Sequence, residues 1–463
     1  MSRTRTRRAP AATAIAESAR DHWDSVRDGV KSRPWWMTAL IVVGFVALLM
    51  AVGVLFFGID DTPRDLVASE TVPAVDSEAF ALALSGLVGA PMEQGGTIEV
   101  LNDGDEFIPS LLQSLREART SINFSVYIWE DGELSDRVTE ALIDRQAHGV
   151  QVRVLLDGLG GRKAPDALFD ELRKRGGRVE KFRMPKFGTW TRFHRRNHRR
   201  SIVIDGRVGY TGGMAVADQW IGHAQDPAHW RDQMFKLTGP LAASLQGAFV
   251  DEWAGSTGEM LVGPATYPIR SAVSTSSTPG VARFVHHINS PADDDHSMTQ
   301  FFVFSMMAAR QRLYVRTPYF IPDPSLERVL ADKARAGVDV RLLLPGSNID
   351  NHIVRFSGQT HYDTLLEAGV RIYEYQPTFM HAKVAVVDGQ WSMVGSPNLN
   401  TRSRQLDEEN VFGVLDPTLA RRLDELFLAD LTRSREISLD AWRRRNPLLK
   451  LVQFASKILD QQS

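Results

Sequence analysis

From about residue 97 onward, runs of β-branched and aromatic residues alternate with stretches of helical periodicity. This is the pattern of an α/β sandwich whose strands are joined by helical crossovers. The pattern runs through the same order twice. In the first half Ser121 to Ile128 (SINFSVYI) reads as a strand, Leu134 to His148 as a helix, and Val150 to Asp157 (VQVRVLLD) as a second strand. In the second half Arg312 to Phe320 (RLYVRTPYF), Leu326 to Ala336 and Val338 to Leu344 (VDVRLLL) repeat it. Gly149-Val150 and Gly337-Val338 stand at the same joint, where a glycine closes the helix and a valine opens the strand. The repeated unit is far longer than a solenoid repeat, so the pattern predicts two similar domains packed against each other.

Nearer the N-terminus the pattern changes. Trp35 to Ile59 contains no charged residue, and as a helix it is about 37 Å long, enough for one tilted crossing of a hydrocarbon core of about 30 Å. Arg3, Arg5, Arg7, Arg8, Arg20, Arg27, Lys31 and Arg33 precede it, whereas Asp60, Asp61, Arg64, Asp65 and Glu70 follow it. The positive-inside rule then puts the N-terminus in the cytoplasm and the remainder outside, with Trp35 and Trp36 at the inner interface. The expected organisation is a basic segment over 1–34, a transmembrane helix over 35–59, a juxtamembrane connector over 60–96 with one short helix, a first domain over 97–257, a linker over 258–281 and a second domain over 282–463.

Composition narrows the chemistry. The formal net charge of -2 gives no global reason to bind nucleic acid, and the lack of cysteine removes thiol catalysis, disulfides and thiolate metal sites. Each half carries a histidine at the corresponding place, in HRRSIVID (His198, Arg200, Asp205) and in HAKVAVVD (His381, Lys383, Asp388). Residues two apart in a strand share a face, so each segment sets a titratable ring beside a fixed cation. Asp205 and Asp388 fall on the other face, each directly before a glycine, which is turn chemistry.

Two copies of His-x-Lys-x-x-x-x-Asp, the first with Arg200 for lysine, resemble the phospholipase D superfamily over about Ile98 to Leu428. Supporting segments are Gly395-Ser396-Pro397-Asn398, Thr317-Pro318-Tyr319-Phe320-Ile321-Pro322, Trp230-Arg231-Asp232, and Arg402-Ser403 followed by Glu409. With the apolar N-terminal run, they look most like the bacterial cardiolipin synthase branch. The resemblance implies two tandem α/β sandwich domains with mixed sheets sharing one interface active site, in a protein of the bacterial inner membrane. It implies transfer of a phosphatidyl group from one phosphatidylglycerol to another, through a phosphohistidine and without cofactor or metal. His198 is the implied nucleophile and His381 the acid and base. The catalytic set is completed by Arg200, Lys383, Asp205, Asp388, Glu409 as the orienter of the second-half histidine, and Asp232, or more weakly Asp226, as that of the first. Ser396, Asn398, Gly212 and Gly213 are expected against substrate.

Two departures stand out. Arg200 replaces a lysine, and Gly213-Met214-Ala215 stands where the second half has Ser396-Pro397-Asn398. A guanidinium still grips phosphate, often with two hydrogen bonds, but in a different geometry. Lys181 to Arg200 carries eight basic residues and no acidic one, a patch suited to anionic lipid or to nucleic acid; a phospholipid hydrolase and a nuclease are therefore the other activities to weigh, with no stable nucleic-acid complex expected. His194, His198, His223, His229 and Asp232 can be drawn as metal ligands, but their spacing matches no standard set. Leu448, Leu451, Val452, Ala455, Ile458 and Leu459 recur at helical spacing, giving a C-terminal amphipathic helix that docks either on the protein or on an anionic membrane.

Overall fold

In the computed structural model the described residues are 34–57, 65–183, 195–268, 282–290, 296–446 and the single positions 450, 453 and 456. The chain divides into two units, Met1–Thr62 and Pro63–Ser463. In the first, Trp35–Phe57 forms a 23-residue helix without a charged residue. Its side chains are described at 35–45 and 48, and among the described residues no helix is long and apolar enough to cross a membrane. Most of the basic N-terminal segment, Gly58 and Ile59 of the expected crossing, and the apolar positions of the C-terminal helix lie outside the described residues.

The second unit holds two mixed sheets of like topology. In the first-half sheet the strand order is Ile98–Asn102, Gln233–Thr238, Val208–Gly212, Ser201–Ile204, Ser121–Val126, Gln151–Asp157, Arg178–Phe182. The second-half sheet repeats this order with Arg283–Asn289, Glu409–Leu415, Trp391–Gly395, Val384–Val387, Arg312–Arg316, Asp339–Pro345 and Arg371–Tyr375. In each, the last three strands are parallel and the rest antiparallel. The helices Glu133–Ala147 and Pro324–Arg335 make the crossovers, and Gly149 and Gly337 take the left-handed φ of 85° and 88° that the Gly-Val joints require.

The segment expected as a connector is built into the second half instead. Glu93–Gln94 adds an edge strand beside Arg283–Asn289. Helix Glu78–Val88 buries Phe80 against Phe304 and Trp391. Its apolar positions are short of partners within the segment itself, so burial on the second sheet is what orders it.

Between the sheets lies a common core. Val203, Phe235, Leu237, Leu241 and Leu245 of the first half pack with Phe284, Val384, Val386, Phe412 and Leu423 of the second. The helices Gly239–Thr257 and Pro417–Leu431 contribute to that layer. Because the central strands Ser201–Ile204 and Val384–Val387 both feed it, the segments just upstream of them, which carry His198 and His381, are brought to the same seam.

Candidate active site

The seam is stitched by two backbone crossings that mirror each other. His198 donates its backbone N–H to Glu408 O (3.0 Å), and Glu408 donates to Arg196 O (2.8 Å). On the other side His381 donates to Arg231 O (2.7 Å), and Arg231 donates to Phe379 O (2.9 Å). Each histidine is thereby locked to the residue preceding a carboxylate of the opposite half.

Those carboxylates hold the rings. His198 Nδ1 lies 2.7 Å from Glu409 Oε1, and His381 Nδ1 lies 2.7 Å from Asp232 Oδ2. This corrects the sequence expectation, which gave Glu409 to the second-half histidine and Asp232 to the first. Asp226 is likewise no orienter, since it pairs with His229. The strand registers show why the two carboxylates are counterparts: Gly212 faces Met234 and Gly395 faces Val411, so Asp232 and Glu409 both stand two residues ahead of that pairing. Each crosses to the histidine it faces over the seam, not to the one on its own sheet.

Neighbours fix the carboxylates in turn. Ser396 Oγ donates to Glu409 Oε2. Asp232 accepts from Trp220 Nε1 (2.9 Å) and from the Gln233 backbone (2.8 Å). Gly213 occupies the place of Ser396, and a Cβ there would meet Asp232 Oδ1 at 2.1 Å; a Cβ at Gly212 would meet Gln233 O at 2.5 Å. Among the positions expected against substrate, Ser396, Gly212 and Gly213 thus seat the carboxylates. Asn398 is buried and bonds Ser403, and its Oδ1 has no partner among the described residues.

The cations lie on the floor. Arg200 is fully buried (0 % exposed) and donates Nη1 to His198 O (2.6 Å), while its Nε and Nη2 have no hydrogen-bond partner among the described residues. Lys383 is buried (5 % exposed), with Nζ 2.9 Å from His381 O and 3.1 Å from His381 Nε2. Leaving a buried guanidinium donor unsatisfied costs roughly 1–3 kcal/mol or more, so these two donors call for an acceptor that the described residues do not supply.

Burial governs the titration. It pushes His198 well below the ordinary imidazole range, helped by Arg200 and Lys383, and takes His381 down to about 3, helped by Lys383. Both rings are therefore neutral, with Nδ1–H on the carboxylate; the Nε2 lone pair of His198 accepts no hydrogen bond among the described residues, whereas that of His381 faces Lys383 Nζ at 3.1 Å. Burial also brings Lys383 down to about 7 and Glu409 up to about 7. For Asp232 burial is outweighed by His381 and Lys383, and its pKa falls below the usual carboxylate range.

Asp205 and Asp388 do structural work, as their turn chemistry suggests. Asp205 accepts from the backbone of Arg119, Thr120 and Ser121, and Asp388 from that of Arg310, Gln311 and Arg312. Each sits at positive φ (53° and 52°) before a positive-φ glycine, the conformation of a tight hairpin.

An aromatic wall went unread in the sequence. Trp220, Trp230, Phe379 and Tyr319 surround the His381 ring, and Tyr127 meets His198 edge-on at 5.1 Å. Carrying the Gly212–Gly395 equivalence onward would have aligned Asp218-Gln219-Trp220 on Thr401-Arg402-Ser403 and set Trp220 opposite Ser403. The other histidines drawn as ligands do not converge: His223 pairs with Asp105 and His229 with Asp226, while His194 lies outside the described residues. Among the described residues no group of three or more His, Asp or Glu is arranged to hold a metal ion.

Comparison with known proteins assigns the chain to a family. The model of the cardiolipin synthase, PLD-like domain family matches residues 111–225 and 303–431. The chain belongs to this family. It is similar to cardiolipin synthase A of Pseudomonas syringae pv. syringae (strain B728a), 34% identical over 375 residues covering 80% of this chain and 76% of that one. It is also similar to cardiolipin synthase 2 of Bacillus anthracis, 33% identical over 78% of this chain and 69% of the relative. Among solved structures, phosphatidylserine synthase of Haemophilus influenzae Rd KW20 has the same fold, with a TM-score of 0.62, 16% identity and coverage of 82% and 99%. Both halves of this cardiolipin synthase family member contain one matched segment, and His198 and His381 each lie within one.

Proposed function

We propose that the protein is a phosphatidyltransferase of cardiolipin synthase type, joining two phosphatidylglycerols to cardiolipin with release of glycerol. The observation that carries the reading is the pair of buried histidines, each held at Nδ1 by the other half's carboxylate and each beside a buried cation. Such a pair supplies a nucleophile, an acid and charge stabilisation for a phosphodiester.

In the proposed reaction His198 Nε2 attacks phosphorus, the bond from phosphorus to the glycerol oxygen breaks, and His381 gives that oxygen a proton. A second phosphatidylglycerol then brings its hydroxyl. His381 takes the hydroxyl proton, the new phosphorus–oxygen bond forms, and the bond to His198 breaks. Arg200 and Lys383 carry the charge on the non-bridging oxygens. A bound phosphate anion also raises both imidazole pKa values from their depressed resting positions, easing the proton onto His381. Glu409 and Asp232 stabilise each ring as it gains positive character.

The site residues fit lipid through their setting as well. We place the uncharged run from Trp35 to Ile59, whose side chains are described only at 35–45 and 48, in the bacterial inner membrane as a single crossing, N-terminus inside and catalytic unit outside. Leu40, Ile41, Val42, Val43, Phe45 and Leu48 are each more than half exposed, a ring of apolar side chains that lipid would cover. The basic residues that precede it favour this orientation. A tether of this kind keeps lipid hydroxyls at high local concentration, which favours transfer over hydrolysis.

Purified protein given phosphatidylglycerol alone, in liposomes, tests the reading. Cardiolipin and glycerol in equal amounts are expected. Phosphatidic acid as the sole lipid product would reassign the enzyme as a hydrolase, and DNA cleavage without lipid turnover would make it a nuclease.

A further inference from the structure

On the His381 side of the cleft, Asp350 is an acidic group that the proposed reaction does not use. Asp350 lies in the loop after strand Asp339–Pro345, at the rim, and both its oxygens accept from the Tyr319 hydroxyl (2.7 and 2.6 Å). Tyr319 in turn meets the His381 ring edge-on at 6.5 Å and Phe379 at 6.1 Å. Among the described residues no cation is paired with Asp350. A carboxylate there opposes the binding of an anionic phosphodiester unless the substrate offers it hydrogen-bond donors.

We propose that Asp350, with Tyr319, forms a polyol subsite on the His381 side of the cleft that takes the glycerol hydroxyl adjacent to the one that reacts. The inference rests on the transferase reading above and names the acceptor chemistry of that same site. With its proton given to Asp350, Tyr319 presents only lone pairs, as the carboxylate does. The surface is therefore built of acceptors and recognises O–H or N–H donors, not phosphate oxygens. A neutral polyol fits better than an ammonium, because Arg200 and Lys383 already lie within electrostatic range of Tyr319 and Asp350. In the proposed reaction both the leaving glycerol and the acceptor head group pass on the His381 side. One subsite then serves both steps: it orients the vicinal hydroxyl and leaves the terminal one facing His381.

The test is acceptor competition. Full-length protein and phosphatidylglycerol liposomes are supplied with propane-1,2-diol, propan-1-ol and ethanolamine at equal concentration, and the two phosphatidyl alcohols and phosphatidylethanolamine are quantified. The wild type is expected to favour the diol, and Asp350→Asn to lower the diol-to-propanol product ratio by about tenfold, the size of one lost charge-assisted hydrogen bond. Tyr319→Phe, which leaves the carboxylate in place but unanchored, should lower the ratio by a smaller factor. An unchanged ratio in Asp350→Asn, an equal loss of both products, or a wild-type preference for ethanolamine over the diol would each overturn the inference while leaving the transferase reading intact. If the wild type forms no phosphatidyl alcohol and no cardiolipin, both fall together.

Discussion

The two histidine sites share one backbone plan and differ in nearly every side chain that surrounds it. His198 has Arg200 beneath it, Glu409 behind it and Arg196 two residues upstream; His381 has Lys383, Asp232 and Phe379 in the same places. The longer Glu409 is held by a serine hydroxyl, the shorter Asp232 by an indole and a backbone amide over a glycine. Burial leaves Glu409 near 7, whereas Asp232 stays below the usual carboxylate range. The duplicated fold thus fixes where a histidine and its carboxylate meet, and the local residues decide what each does. One side is polar and arginine-flanked, the other walled by aromatic rings.

The hardest way to break the comparison is to remove either ring. His198→Ala and His381→Ala should each lower phosphatidyl transfer by about 10^4-fold or more, since one supplies the nucleophile and the other the proton. Near-normal turnover in either variant would mean that the halves do not share a site. Next come the crossed carboxylates. Glu409→Gln and Asp232→Asn should each cost about 10^2- to 10^4-fold in kcat by losing the correct ring tautomer. Gly213→Ala, which drives a methyl into Asp232, should resemble Asp232→Asn in steady-state assays.

Arg200→Ala should lower kcat by about 10^2- to 10^3-fold, the usual loss for a preorganised donor at the developing charge. Arg200→Lys should fall between that variant and wild type, because a point charge replaces a two-pronged donor. The smallest effect sharpens the comparison through pH. In kcat/KM, protonation of Glu409 below about 7 should cause the acid limb and loss of the proton from Lys383 above about 7 the alkaline limb. Lys383→Arg, with a group that does not titrate in this range, should push the alkaline limb to higher pH while the acid limb stays; movement of the acid limb instead would detach it from Glu409.

Much of this was legible in the amino-acid order. Strand-period alternation and the Gly-Val joints reveal the duplication, and the spacing of His198 to Arg200 and His381 to Lys383 sets cation beside ring. The exchange of carboxylates was not legible, because Asp232 and Glu409 occupy equivalent registers on their own sheets and only the facing of the two sheets decides which ring each meets. The short helix between 60 and 96 is expected from the sequence, but the docking of Glu78–Val88 escapes for a similar reason: it depends on Phe304 and Trp391, far along the chain. The aromatic wall around His381 is gathered from four separate segments, so no window of sequence displays it.

Histidine-ring NMR on protein labelled with 15N tests the crossed pairing most directly, with the His198 and His381 signals assigned from the single variants. Glu409→Gln is predicted to shift the ring nitrogens of His198 and leave those of His381 in place, and Asp232→Asn to do the reverse. A shift of His381 on loss of Glu409, or of His198 on loss of Asp232, would contradict a site built across the seam.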